Sequence, residues 1–325
     1  MNSFGRKFRV SIFGESHGTM VGAVIDGCPP GISLSEEDLL PDLARRKSGA
    51  KGTTPRREAD EPKIVSGVFN GYTTGAPITV IFENSNTRSG DYKNLIVQPR
   101  PGHADWVALK KYNGFADYRG GGHFSGRITL GLVAAGAIAK KVTENIDYST
   151  EIIELGGSND KADYDSVLDE AVRTHNSIGG IVECTVKGCF PGLGDPFFDS
   201  VESLISHAVF SIPAVKGIEF GAGFASAKMN GSQNNDNIID INGTTETNNA
   251  GGINGGITNG NPILFRVAVK PTPSISLPQN TINMETGNRE DLTIKGRHDA
   301  CIVLRIPVII EAVAAIVMAD LTLLS

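Results

Sequence analysis

The sequence lacks the features of a secreted, disulfide-rich or nucleic-acid-binding protein. It contains one tryptophan and four cysteines in 325 residues, and no two cysteines form a Cys-x-x-Cys pair. No histidines cluster with them at zinc spacing, so we predict buried thiols in a reducing cytoplasm and no metal site. The formal net charge of −6 argues against general affinity for nucleic acid.

Long uninterrupted apolar runs are also missing. The N-terminal residues contain no apolar stretch typical of a signal peptide. The most apolar segment, residues 306–324, is interrupted by Pro307, Glu311 and Asp320, which predicts a buried helix rather than a membrane span. No Pro/Ser-rich linker or block of charge divides the chain. We therefore predict a single domain over residues 1–325, with no membrane association.

Helical and strand patterns do not alternate as they do in βαβ repeats. Strand patterns cover residues 8–13, 63–69, 76–82, 181–186 and 264–269. Helical patterns begin at Ser35, cover residues 105–112, 128–143 and 200–210, and resume after Asp299. This order favours an α+β fold with antiparallel sheet. The helix at 128–143 is rich in alanine and glycine, which allow close packing, so we expect it at the centre.

Four of the six histidines lie in short segments flanked by glycine. They are His17, His103, His123 and His298. Glycine allows tight turns and close approach of the backbone, and loops of this kind are where ligand contacts concentrate. Imidazole can give and take a proton near neutral pH. Together the four predict an enzyme that transfers protons in a loop-built site, whereas any one alone is more often an ordinary loop histidine.

Basic residues are concentrated in one stretch of this acidic chain. Six of them lie between residues 45 and 57, namely Arg45, Arg46, Lys47, Lys51, Arg56 and Arg57. Glycines, threonines and a proline interrupt the stretch, so much of it is loop. Loop arginines can bind phosphate or carboxylate oxygens through paired hydrogen bonds, which predicts an anionic small-molecule site. The alternative is a solvated charged face.

A second candidate anion site precedes the central helix, in the glycine-rich residues 119–127. Free amide donors and the helix dipole favour phosphate at a helix N-terminus, although the alternative is a tight structural turn. The motif matches neither the Walker loop nor the dinucleotide fingerprint. Farther along, residues 230–261 are dominated by asparagine and glycine. A loop of that length is either functional or disordered.

Taken in order, these segments resemble the chorismate synthase family almost from end to end. The matching segments are residues 13–18, 27–31, 45–46, 53–58, 100–105, 117–122, 250–256, 270–272 and 295–299. The resemblance implies conversion of 5-enolpyruvylshikimate 3-phosphate to chorismate and phosphate with reduced FMN. This is the last step of the shikimate pathway, which supplies aromatic amino acid biosynthesis. It also implies a single-domain β-α-β sandwich, with helices between antiparallel sheets, that assembles as a homotetramer in the cytoplasm.

The resemblance also implies roles for individual residues. His17, with Ser16 beside it, corresponds to the acid that protonates the leaving phosphate. His103 corresponds to the residue that controls protonation of the reduced flavin, and Asp299 to the residue that assists removal of the C6 proton. The flavin is implied to lend an electron and recover it, which explains a redox cofactor in a redox-neutral reaction.

Binding residues follow from the same matches. Flavin or cofactor contacts are implied at Arg46, Ser125, Arg127, Pro213, Ala214, Gly255, Lys270, Pro271, Thr272, Pro273, Ser274 and Arg297. Substrate contacts are implied at Arg45, Arg46 and Arg57. NADPH enters only indirectly, through reduction of the flavin. Because the chain has no added domain for that reduction, we expect it to use flavin that is reduced elsewhere.

The sequence departs from the commonest family pattern in several places. Histidine and phenylalanine stand at His123 and Phe124, where the pattern has arginine and serine. Gly52 replaces a frequent arginine, and Pro273 replaces a frequent serine. Because the catalytic histidines, Arg46 and Asp299 are present, these changes are typical of a subfamily variant.

Two other classes of function were compared with this one. The first is a different phosphate-handling or flavin enzyme on the same scaffold, which flavin-dependent turnover of the substrate would distinguish. The second is an RNA-binding module that uses residues 45–57. The acidic net charge and the lack of aromatic residues among those cations argue against RNA binding.

Overall fold

The computed structural model describes residues 2–54, 59–85, 95–294 and 298–325. Its strands are β1 (Ser3–Phe4), β2 (Arg9–Gly14), β3 (Met20–Asp26), β4 (Lys63–Ser66), β5 (Val68–Phe69), β6 (Tyr72–Thr73), β7 (Ile78–Glu83), β8 (Asp147–Leu155), β9 (Gly180–Lys187), β10 (Val215–Phe220), β11 (Ile253–Asn254), β12 (Ile257–Thr258), β13 (Ile263–Val269), β14 (Gln279–Ile282) and β15 (Arg289–Leu292). Its α-helices are α1 (Leu40–Arg46), α2 (Asp105–Lys111), α3 (Thr129–Val142), α4 (Tyr164–Arg173), α5 (Val201–Val209), α6 (Gly231–Asn234) and α7 (Pro307–Leu324).

Two antiparallel sheets form the outer layers. The first has the strand order β1-β2-β3-β7-β4, and the second has the order β10-β13-β9-β8. Buried and less buried residues alternate along the strands, and this alternation sets the register. For example, the buried Phe265 of β13 pairs with the buried Cys184 of β9. Three further strand pairs, β5–β6, β11–β12 and β14–β15, are small hairpins outside these layers.

Helices α3 and α7 fill the space between the two sheets. Helix α3 packs on β2, β3 and β7 of the first sheet and along α7, and α7 packs on β8 and β9 of the second. Both helices are buried over most of their length. The predicted β-α-β sandwich of the α+β class is therefore confirmed.

Two glycines on α3 allow this close packing. A Cβ atom on Gly131 would lie 2.7 Å from the carbonyl oxygen of Gly22 in β3. A Cβ atom on Gly136 would lie 2.4 Å from the Cα atom of Ala312 in α7. Either side chain would push two layers apart, which a close-packed interior does not tolerate. The prediction of a central helix with small residues is confirmed.

The C-terminal helix α7 is long and apolar enough to cross a membrane by length and composition alone, but 78% of that stretch is buried inside the protein. Its first turn contains Pro307. Proline has no amide hydrogen, but an amide at this position would have no acceptor within the helix. Its two acidic residues, Glu311 and Asp320, are buried and accept hydrogen bonds. The predicted buried helix is confirmed.

One local prediction needs correction. The expected strand over residues 63–69 is broken at Gly67, whose positive φ of 83° ends β4 before β5 begins. Residues 230–261, for which the sequence left a functional and a disordered loop open, contain α6 and the β11–β12 hairpin. The Asp236 carboxylate accepts hydrogen bonds from the Thr247 hydroxyl and the Asn249 and Ala250 amides, at 2.6–2.8 Å. These bonds fold the segment onto itself.

Candidate functional site

A cavity of about 1040 Å³ brings together segments that are far apart in the sequence. Its lining comes from six regions within residues 46–54, 100–104, 120–129, 208–216, 270–274 and 298–316, together with the N-terminal strand. Small-molecule sites usually measure about 300–1000 Å³, so this cavity has room for a large ligand or for two smaller ones. Three of the four glycine-flanked histidines, His103, His123 and His298, line it.

The glycine loop before α3 lies between two of the predicted catalytic histidines. Gly120, Gly121 and Gly122 all have positive φ, from 52° to 83°, a conformation that favours glycine. A Cβ atom on Gly120 would lie 2.7 Å from Nε2 of His17, and one on Gly121 would lie 3.5 Å from Nε2 of His103. Because these glycines have no side chains, both imidazole rings approach the loop closely. His17 lies at Gly120 and His103 at Gly121.

Ser16 and His17 are buried in the turn after β2 and do not line the cavity themselves. Gly120, which does line it, also lies against Ser16, because a Cβ atom there would be 2.8 Å from the Ser16 hydroxyl. The Ser16 amide donates to the Gly122 carbonyl at 3.1 Å. These contacts hold the Ser16–His17 turn directly behind the cavity wall.

His103 forms part of a compact group with Asp105 and Arg100. Its Nδ1 lies 2.6 Å from the Asp105 carboxylate. Burial lowers the pKa of His103, and the charges of Arg100 and Lys270 lower it further, against the opposing effect of Asp105. Burial alone would raise the pKa of Asp105, but hydrogen bonds from Arg100 and His103 hold it well below its usual value. Both shifts favour a neutral His103 beside an ionised Asp105.

Three arginines and two aspartates form a second charged group, which we call the Arg46 cluster: Arg46, Asp60, Arg127, Asp299 and Arg305. Arg127 contacts Asp60 at 2.8 Å, and Arg46 approaches the same carboxylate at 3.6 Å. Arg305 lies 3.4 Å from Asp299. Burial and the charges of Arg305 and Arg127 lower the pKa of Arg46 to about 9. The cluster carries one more cation than anions.

The Arg46 side chain is fixed by neighbouring polar groups and still has a free donor. Its Nε donates to the Thr129 hydroxyl at 2.9 Å and its Nη2 to the Gly126 carbonyl at 2.8 Å. Its buried Nη1 has no hydrogen-bond acceptor within the described part of the chain. The same is true of the buried Thr272 hydroxyl, which has no hydrogen-bond partner there. Both residues line the cavity, so both can bind a polar ligand.

Asp299 does not cap a helix. It lies before the 3₁₀ turn Ile302–Arg305, whose capping position is Cys301 and whose cap makes no side-chain hydrogen bond. The Asp299 carboxylate instead accepts from the Thr54 amide at 2.9 Å and contacts Arg305. Asp299 also lines the cavity, so it lies beside the space where a ligand would bind.

Most of the residues predicted to contact the cofactor lie around this cavity. The lining includes Arg46, Ser125, Arg127, Pro213, Ala214, Lys270, Thr272, Pro273 and Ser274. Pro271 lies between two lining residues without lining the cavity itself. Gly255 forms the turn of the β11–β12 hairpin and is not part of this wall. The predictions for Arg57 and Arg297 lie outside the described residues.

Arg45 has a different environment from the one predicted. Its guanidinium pairs with both oxygens of Glu311 at 2.6 Å each, and it does not line the cavity. Lys51, from the same basic stretch, pairs with Asp169 at 2.7 Å. We therefore withdraw Arg45 from the substrate contacts.

Sequence reasoning missed several charged residues of the site. Arg100 lies in the matched segment 100–105, but no role was predicted for it. Its partner Asp105 is only five residues away, so the pair could have been found from the sequence. Asp60 gave no signal, because its partner Arg127 is 67 residues away. Arg305 was missed although its partner Asp299 is only six residues away. At Gly52, φ is +82° and a Cβ atom would lie 2.8 Å from the Leu168 side chain. An arginine at Gly52 would therefore be strained here.

His123, which departs from the family pattern, has structural partners. Its Nδ1 lies 2.9 Å from the Gly14 carbonyl, and its Nε2 lies 3.1 Å from the Asn2 side chain. These contacts join the glycine loop to the end of β2 and to the N-terminal segment. Because Asn2 also lines the cavity, His123 holds one edge of its wall.

Comparison with known proteins gives a consistent result. The family model for chorismate synthase matches residues 8–323. The chain is 62% identical over 325 residues to the chorismate synthase of Chitinophaga pinensis, covering 100% of this chain and 97% of that protein. It is 44% identical to the chorismate synthase of Korarchaeum cryptofilum, with coverages of 98% and 96%. A crystal structure of chorismate synthase matches with a TM-score of 0.76 at 29% identity, covering 98% and 93% of the two chains.

Proposed function

Because the chain belongs to the chorismate synthase family, we propose that it converts 5-enolpyruvylshikimate 3-phosphate into chorismate and phosphate, using reduced FMN. The observation that carries this proposal is the surplus of positive charge in the Arg46 cluster. The substrate has a phosphate and two carboxylates, which suit buried guanidinium groups with a free donor. The elimination breaks a C–O bond to phosphate and removes a proton from C6.

The cavity residues fit a flavin mononucleotide. Lys270 supplies a cation, and Ser125, Thr272 and Ser274 supply hydroxyls, which suit a phosphate and the polar edge of a ring. Apolar side chains of α3 and α7 line another part of the wall, among them Leu132, Ile309 and Val313. When bound, reduced FMN would supply a transient electron to the substrate. NADPH would act only by reducing the flavin elsewhere.

The protein's own groups bind the substrate and move protons. Arg46 neutralises negative charge on the substrate, which lowers the cost of phosphate departure. His17, behind Gly120, donates a proton to the leaving phosphate oxygen, with Ser16 beside it. The Asp299 carboxylate assists removal of the C6 proton. The neutral His103 ring controls protonation at the flavin.

The proposal extends to assembly and location. Large aromatic side chains lie on the surface, including Phe197 at 87% exposure and Phe198 at 93%. Exposed apolar groups of this size are typical of contacts between subunits, which supports a homotetramer. We place the enzyme in the cytoplasm, as a protein without nucleic-acid or membrane partners. Sedimentation at several protein concentrations tests the tetramer.

An anaerobic assay tests the activity. The purified protein is mixed with 5-enolpyruvylshikimate 3-phosphate and dithionite-reduced FMN, and phosphate and chorismate are measured together. We expect equal amounts of both products, and none when the FMN is oxidised. Equal turnover with oxidised FMN, or no turnover with reduced FMN, contradicts the proposal.

A further inference from the structure

The surroundings of His103 hold its two ring nitrogens in different environments. Asp105, the first residue of α2, places a carboxylate oxygen 2.6 Å from Nδ1. The same carboxylate accepts three hydrogen bonds from Arg100: one from Nε at 2.7 Å, one from Nη2 at 2.7 Å and one from the backbone amide at 3.0 Å. Both carboxylate oxygens are therefore fixed.

An ionised carboxylate can only accept hydrogen bonds, so Nδ1 must carry the proton. Arg100 Nη2 also lies 3.0 Å from Nδ1, but the Asp105 oxygen is closer, at 2.6 Å, and can only accept. With the proton on Nδ1, the neutral ring has its lone pair on Nε2. A Cβ atom on Gly121, which lines the small pocket beside the cavity, would lie 3.5 Å from Nε2.

Arg100 changes the usual effect of such a carboxylate. An aspartate beside a histidine normally favours the imidazolium form. Here the guanidinium cancels the charge of Asp105 while leaving its hydrogen bond to Nδ1 intact. The other charged or titratable neighbours are Lys270, whose Nζ donates to the Gly102 carbonyl at 2.6 Å, and Asp117 and Tyr118 in a small adjoining pocket. The carboxylate therefore selects the tautomer, while burial and the charge of Arg100 lower the pKa of the ring.

We propose that Asp105 and Arg100 are positioning residues that hold His103, a residue of the cavity wall, neutral with its proton on Nδ1 and its lone pair on Nε2. Arg100 also donates to the Ser274 hydroxyl at 3.0 Å, which links this group to the wall assigned to the flavin. The effect on catalysis rests on the proposed function, because the flavin is the ligand that His103 would serve. The protonation state of His103 does not depend on that function.

The experiment is solid-state ¹⁵N NMR of the full chain labelled at histidine, without substrate. Only six histidines contribute signals, and His103→Gln identifies those of His103. At pH 7 we expect a neutral ring protonated on Nδ1. A ring protonated on Nε2, or an imidazolium, in the wild-type protein overturns the proposal. This result decides the question even if a variant fails to fold.

Two variants should shift the titration of His103 in opposite directions. Arg100→Gln leaves the Asp105 charge uncompensated, so the His103 pKa should rise by about one unit or more. Asp105→Asn leaves the Arg100 charge uncompensated, so the pKa should fall and the preference for Nδ1–H should weaken. Asp117→Asn is a matched control, because Asp117 pairs with Arg119 at 2.8 Å and none of its hydrogen bonds reaches His103. Equal or absent shifts in the two test variants contradict the proposal.

A kinetic measurement separates this proposal from the proposed function. With reduced FMN, Asp105→Asn should lower kcat at least tenfold and change the pH profile, while the substrate KM stays within about twofold. If the NMR result holds but no chorismate forms, the positioning role stands and the proposed function fails. If turnover is normal in Asp105→Asn at every pH, the positioning role fails and the proposed function stands.

Discussion

Two consecutive arginines at the end of α1 enter two different charged groups. Arg45 joins what we call the Glu311 cluster, which consists of Glu311, Arg45, Asp42, Lys140 and Thr150. Arg46 belongs to the Arg46 cluster at the cavity. The first group has two cations and two anions, and its Glu311 carboxylate accepts hydrogen bonds from Arg45, Lys140 and Thr150. The second has three cations, two anions and an unpartnered donor.

The difference separates a structural charge group from a ligand site. Burying charge is costly unless partners compensate it, and the Glu311 cluster is compensated within the protein. Within the residues that the structure describes, the Arg46 cluster is not, so an anion from outside would complete it. Burial alone identifies neither role, since Glu311 and Arg46 are each only 2% exposed. The balance of charge and hydrogen bonds distinguishes them.

The largest expected effect is on stability, from Glu311→Gln. Removing this anion leaves Arg45 and Lys140 without their buried partner, and we expect a loss of about 3 kcal/mol of unfolding free energy. That value lies at the lower end of the range for broken buried pairs, because both cations are partly exposed. Urea denaturation measures it. Unchanged stability would mean that solvent already screens the cluster.

The pH dependence of the unfolding free energy should report the ionisation of Glu311 in the same cluster. Burial alone would raise the pKa of Glu311, but hydrogen bonds from Arg45 and Thr150, with the charge of Lys140, lower it below its usual value. Its stabilisation is therefore present above the unfolded pKa of about 4.3 and is lost as pH falls through the lower folded value. Denaturation of wild type and Glu311→Gln between pH 7 and 3 should show their difference shrinking on acidification. A constant difference contradicts this assignment.

Asp299→Asn should give the next largest effect. It should lower the rate of turnover and leave stability nearly unchanged. Asparagine retains an acceptor for the Thr54 amide but cannot act as an ionised carboxylate. We expect turnover to fall about 100-fold, the scale of a proton-transfer group, with little change in stability. Stopped-flow measurement with reduced FMN tests this. A near-normal rate would restrict Asp299 to holding Thr54 and Arg305.

Arg46→Met should weaken substrate binding by about 1.5–3 kcal/mol, the value of one charge-assisted hydrogen bond. The substitution keeps an unbranched side chain and relieves repulsion from Arg127 and Arg305, so stability should change less than in Glu311→Gln. Titration of the flavin complex with substrate measures the affinity. An unchanged affinity would mean that the surplus charge serves another purpose.

The smallest effect is expected at an exposed ion pair, which serves as the reference for both clusters. Glu170 and Arg173 lie on the surface of α4, with side chains more than half exposed. Solvent screening makes such pairs weak, so Glu170→Gln should leave the denaturation midpoint and turnover unchanged within error. A clear loss of stability would show that exposure is a poor guide to charge effects in this protein.

Local patterns predicted the α+β class, the central α3 and the buried α7. The family resemblance implied the sandwich and a set of cofactor contacts, most of which line the cavity. The direction of Arg45 was not predictable, because its partner Glu311 lies 266 residues away. Asp60 and Arg127 likewise meet across 67 residues. Such pairs are decided by packing of the layers, which no local pattern encodes.

The position of α7 in the chain has a consequence for biosynthesis. Helix α3 is complete at Val142, yet α7, which packs along it and against β8 and β9, begins at Pro307. At a translation rate of about 5–20 residues per second, the intervening segment takes on the order of 8–33 s to synthesise. During that interval the nascent chain lacks the helix that covers the apolar face of α3. Chaperone demand should therefore depend on how soon α7 leaves the ribosome.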